Sequence, residues 1–186
     1  MKKLLFVLLV ILPMVACAQI IAFDRTRDGG RIVCTDEVRA TGFTEKVKQW
    51  YCVSGFTFGD KTTYSIGVKT NWNEPFCIEK GMKLLLRNMN NEVITLVAES
   101  TLEVSEGTYL SPKATLKVYT GTAYYSVSPE DMAKVAVGIK KVRIETTSDP
   151  VDKEFGSDKI GKFLSKGYQL VRKSLETKKA DITDGF

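Results

Sequence analysis

The sequence predicts an α+β fold. It is a mainly antiparallel, curved β-sheet of about eight strands, with a short helix over 129–137 and a long C-terminal helix over 158–176 packed on the sheet. Three observations carry this. Residues 19–147 read as short alternating or aromatic-rich runs separated by turn signals, the pattern of successive hairpins. Ser128-Pro129-Glu130-Asp131 is a helix start. Asp158–Leu175 is apolar with a helical period, so strands come first and one long helix comes last.

The final helix organises the chain. On a wheel, Ile160, Phe163, Leu164, Gly167, Tyr168, Leu170, Val171, Ser174 and Leu175 fall within an arc of roughly 160°, which suits a helix lying on a sheet. Ser157 is a candidate N-cap, with Asp158 in the first turn. Gly167 and Ser174 lie near the centre of the arc. A glycine inside a helix costs about 1 kcal/mol against alanine. Close approach of the helix backbone to a flat surface is a reason to accept that cost. Lys159, Lys162, Lys166 and Lys173 gather on one side of the polar face, which leaves a lipid-facing anchor as the alternative.

The chain begins with an export signal over 1–18: basic Lys2 and Lys3, apolar Leu4 to Leu12, then small Ala16 and Ala18. The apolar run is too short to span a bilayer. Two processing readings are open. Ala16-Cys17-Ala18 fits cleavage before Gln19, and Met14-Val15-Ala16-Cys17 resembles a bacterial lipobox in which Cys17 is lipidated. The short signal, the Ala-Gln junction and the β-rich body resemble small exported proteins of the Bacteroidetes. That resemblance implies a periplasmic, secreted or outer-membrane-anchored protein, touching a membrane only through a lipid anchor.

Residues 19–176 read as a single domain and 177–186 as a polar, mobile tail. Without Lys2 and Lys3, 25 basic residues face 22 acidic ones, too mild a balance for nucleic acid. Cys34, Cys52 and Cys77 are disulfide candidates; three cysteines allow one bridge, and the sequence does not choose the pair.

The strands are expected at Ile20–Asp24, Arg31–Val38, Val47–Phe58, Thr63–Lys69, Met82–Asn88, Glu92–Ala98, Ala114–Tyr119, Thr122–Val127 and Lys141–Thr146. Asp28-Gly29-Gly30, Gly59-Asp60, Met89-Asn90-Asn91 and Thr120-Gly121 are the turns between them. In Val47–Phe58 neither face is polar throughout, so both faces are expected to be covered. Its aromatics Trp50, Tyr51, Phe56 and Phe58 are read as core, with a pocket lining as the alternative.

The chain has no histidine, which removes the commonest general base and the Ser-His and Cys-His nucleophile pairs. The cysteine spacings are not metal-ligand spacings, and no metal or cofactor is expected. Asp36, Glu37, Glu74, Glu130 and Asp131 are the carboxylates in polar loops; a strand end accounts for the first two and helix capping for the last two. The candidate binding residues are Trp72 with Asn71, Asn73 and Glu74, an indole beside amides in an expected loop, the combination that stacks on a sugar.

The function these features predict is a non-catalytic binding or structural module with a protein or glycan partner. Strands followed by a C-terminal helix resemble the lipocalin plan, which implies a carrier of a small apolar ligand. The Gly-x-Trp of that family is absent here, Trp50 following Lys48-Gln49. A carboxylate-dependent hydrolase is the second alternative.

Overall fold

The computed structural model describes residues 19–27, 29–42, 45–102, 104–111 and 114–177. The expected export signal with Cys17, and the expected tail beyond Thr177, lie outside the described residues. The fold is α+β, built on two antiparallel sheets. The larger sheet joins β1 (Ile21–Arg27), β2 (Gly30–Thr35), β4 (Lys48–Phe58), β5 (Lys61–Trp72), β9 (Ala114–Ser126) and β8 (Ser105–Ser111) in that spatial order, with β3 (Val38–Arg39) paired to β4. The smaller sheet runs β11 (Val151–Glu154), β10 (Ile139–Ile144), β6 (Lys83–Asn88), β7 (Val93–Val97). A bridge from Ala98 to Tyr125 ties the two together. Helices α1 (Pro129–Ala136) and α2 (Gly161–Glu176) complete the chain.

Only one face of the larger sheet is covered. Tyr51, Val53, Ile66, Val68 and Tyr125 point to it and are fully buried. Helix α2 lies over β4 and β2, and the smaller sheet meets the larger one through β7 against β9. Burying such side chains contributes about 1.5–3 kcal/mol each.

Gly167 is buried on the sheet side of α2, as the wheel predicts, and a Cβ there would meet Val53 Cγ2 at 3.1 Å. The sheet answers with its own glycine. A Cβ on Gly55 of β4 would meet Val171 at 2.6 Å and Leu175 at 2.7 Å. A third close approach lies on the helix flank that the wheel leaves polar. A Cβ on Gly161 would meet Gly138 Cα at 2.7 Å and Ile139 N at 2.8 Å. The helix is therefore wedged between the sheet and the link from α1 to β10.

Several local expectations hold. Ser128 and Asp131 form a reciprocal capping box, with Asp131 N donating to Ser128 Oγ at 3.1 Å and Ser128 N to Asp131 Oδ2 at 3.3 Å. Gly138 follows the helix at φ 103°, a left-handed conformation that suits glycine. Asn91 takes φ 65° between β6 and β7.

Four expectations change. Thr120-Gly121 is not a turn: β9 runs unbroken through it and pairs with β8, a strand the sequence did not reveal. Gly121 is there because Leu102 packs on it, within 2.8 Å of where a Cβ would stand. Ser157 does not cap α2. The helix starts at Gly161, and the Asp158 carboxylate sits outside it, accepting from Gly161 N at 2.7 Å, Lys162 N at 2.9 Å and Ile139 N at 3.1 Å. β4 is covered on one face, not two: Phe56 and Phe58 are 41% and 58% exposed. Of its aromatics only Tyr51 is core.

Two substitutions test this packing. Gly167→Leu should lower stability by about 1–3 kcal/mol through overpacking against Val53. Gly161→Ala should cost a comparable amount, because its neighbours are backbone atoms that cannot rotate away. Chemical denaturation checks both; an unchanged midpoint in either variant would remove the corresponding contact.

Candidate functional site

The uncovered face of the larger sheet holds the site. Side chains alternate across a strand, and directly paired residues share a face. The register therefore places Lys48, Trp50, Cys52, Ser54, Phe56 and Phe58 of β4 beside Ile32 and Cys34 of β2 and beside Gly67, Lys69 and Asn71 of β5. Thr120, Thr122 and Tyr124 of β9 continue the row, with Val118 and Leu116 beyond them.

At one end of this face lies an open groove of about 700 Å³. Trp50 forms part of its floor. Arg39, its partner on β3, places its guanidinium carbon 5.4 Å from the indole centroid, and Lys69 on β5 places its ammonium at 5.8 Å. Each cation gains about 0.5–1 kcal/mol from the indole at such half-exposed positions. Leu116, half exposed, and Val118 give the groove an apolar wall. Gly107 of β8 lines it with backbone alone, which keeps that side low.

The polar lining is unevenly engaged. Arg39 donates to Gly42 O at 3.0 Å. Lys46 pairs with Glu74 at the rim. Glu45 accepts from Lys153 Nζ and from Gly42 N, both at 2.8 Å, and those bonds hold its carboxyl below the ordinary range, the Lys153 bond most. Asn71 Nδ2 donates to Thr120 Oγ1 at 3.0 Å. Lys48, half-buried opposite Asn71, has no carboxylate partner among the described residues.

The sequence-derived candidates divide here. Asn71 and Asn73 line the groove, and Glu74 stands at its edge through Lys46. Trp72 does not join them. It ends β5 on the covered face, 6% exposed, with its ring centroid 6.0 Å from that of Phe76. The expected loop begins one residue later, so Trp72 takes the inward side of a strand and serves as a lid on the core. Lys48, Arg39, Leu116 and Val118 were missed, and Trp50 takes the pocket-lining alternative in place of the core. The alternation of β4, with Trp50, Ser54 and Phe56 together on one side, was the available signal.

The covered face has a polar spot of its own. Tyr51 donates to Gln49 Oε1 at 2.8 Å. Gln49 Nε2, Thr70 Oγ1 and Trp72 Nε1 are buried on adjoining inner positions of β4 and β5 without a protein partner. A smaller recess of about 230 Å³, lined by Thr41, Gln49, Val151 and Lys153 among others, opens beside Gln49.

Chemistry is sparse. Glu45 is the one carboxylate among the groove's described lining residues. Asp131 caps α1, and Glu37 pairs with Lys69 at 3.1 Å. No group of three or more carboxylates and thiols among the described residues is placed to hold a metal ion. No described helix is long and apolar enough to cross a membrane. The chain matches no family model, no curated protein and no solved structure.

The cysteines sort by position. Cys77 stands apart, its thiol donating to Leu102 O at 3.5 Å. Cys34 and Cys52 lie on adjacent strands of the open face, both buried, with thiols in hydrogen-bonding contact beside Tyr124. That contact and burial push the Cys52 thiol well above its ordinary value, while the same contact draws the Cys34 thiol below its own. If the chain folds under oxidising conditions, these two should bridge and Cys77 should remain a thiol. Alkylation of the denatured, unreduced protein should then label Cys77 alone; labelling of all three would mean the contact is only a hydrogen bond.

Proposed function

We propose that the chain is an exported, non-catalytic binding module, and that the groove beside Trp50 is where it binds. The observation that carries this reading is the combination found there and nowhere else among the described cavities of comparable size. An indole flanked by two cations, an apolar wall and two side-chain amides surround about 700 Å³. That volume lies in the range of small-molecule sites, which pair apolar lining with a few placed polar groups. Export is supported by the basic and apolar start of the chain.

The carrier reading is reshaped rather than dropped. Helix and second sheet fill the covered side of the larger sheet, so a ligand is taken on the open face and stays partly exposed. The hydrolase reading finds less support: it needs two carboxylates about 5–10 Å apart, and Glu45 is committed to Lys153.

Native mass spectrometry of protein isolated from its own cell envelope tests this. The denatured mass should fit a chain from Gln19 or one from an acylated Cys17. The native spectrum should show a retained small molecule, lost or reduced about tenfold by Val118→Asp, which puts a charge in the apolar wall. No retained molecule in either protein, or equal retention in both, would overturn the groove as the site.

A further inference from the structure

We propose that the groove's ligand is a free single-chain amphiphile with an anionic head, of the fatty-carboxylate kind. This rests on the reading of the groove as the binding site. Its argument begins with Lys48. Lys48 is a half-buried side chain whose ammonium has no carboxylate partner among the described residues, so a ligand anion would meet no competing counter-charge there. Lys46, Lys69 and Glu45 are each satisfied by Glu74, Glu37 and Lys153.

The surroundings favour the same sign. Arg39, Lys46 and Lys48 line the groove against a single carboxylate, Glu45, which is already held by Lys153. Across from Lys48, Leu116 and Val118 supply apolar surface for a body that carries no hydrogen-bonding groups. Arg39 and Lys69 lie 5.4 and 5.8 Å from the Trp50 ring centroid, so a sugar ring stacking on the indole would compete with two cations. A second copy of the chain fits poorly for a separate reason. A two-fold face-to-face pairing would bring the cationic cluster against itself.

The test uses the full-length mature protein and three probes of equal chain length, each below its micelle concentration: dodecanoate, dodecyl maltoside and dodecyltrimethylammonium. The readouts are tryptophan emission and melting temperature. Dodecanoate should shift the emission, raise the melting temperature and bind about tenfold more tightly than the maltoside. The emission shift should vanish in Trp50→Phe, which assigns it to the groove and not to Trp72. Lys48→Glu should weaken dodecanoate about tenfold and leave the maltoside unchanged, and Lys48→Arg should retain dodecanoate binding.

Equal affinity for dodecanoate and the maltoside, with Lys48→Glu without effect, would overturn the anionic class and leave the groove intact as a site. A response to anionic vesicles but not to dissolved dodecanoate would overturn it in favour of a membrane surface. No response to any probe would overturn it as well; the groove itself would then be judged by the retained molecule in the native spectrum.

Discussion

The structure depends on how closely a helix backbone can approach a sheet. Two glycines set that distance, Gly167 on α2 and Gly55 on β4, each occupying space that a methyl group would contest with Val53, Val171 or Leu175. With the helix seated there, Val33, Tyr51 and Val53 are fully buried. The smaller sheet meets the rest of that face through β7 against β9. No described element is left over for the opposite face, so most of its alternating residues meet solvent, Cys34 and Cys52 being buried there beside Tyr124. The groove is a consequence of that allocation: a long curled sheet, one side filled and the other left open.

This explains why side chains of similar character have such different fates. Tyr51 and Trp50 are neighbours in sequence and both aromatic, but the period of two sends one into the core and one to the floor of the groove. Trp72 and Asn71 divide in the same way, the indole inward beside Phe76 and the amide outward to Thr120. Which side chains reach this face is therefore decided by parity along the strand more than by residue type.

Legibility in the sequence followed the range of the forces. The capping box at Ser128 and the turns at Gly59 and Asn91 are set by residues within a few positions of each other, and they were readable. So was the apolar arc of α2, because burial on a flat surface needs a broad stripe. Thr120-Gly121 was misread because a glycine that admits a distant side chain looks the same locally as one that turns the chain; Leu102 decided it. The start of α2 was misplaced because Asp158 answers amides of both the helix and β10, a partner nineteen residues away. The site was half legible. Asn71 and Asn73 were found for their amides, but the tryptophan beside them was the wrong one, since only strand pairing puts Trp50 next to Lys69 and near Asn71.

The three-way grip of Asp158 on Ile139, Gly161 and Lys162 ties the last helix to the start of β10. Its place late in the chain orders assembly in time. Every strand of the larger sheet has been made before α2 exists, so the inner faces of β2 and β4 spend that interval uncovered. A chain in that state carries an apolar surface and two open strand edges, the features that invite association with other unfinished chains. The hazard ends only when the final helix closes on Gly55. The final helix is thus the element that removes this apolar face of the sheet from contact with its surroundings.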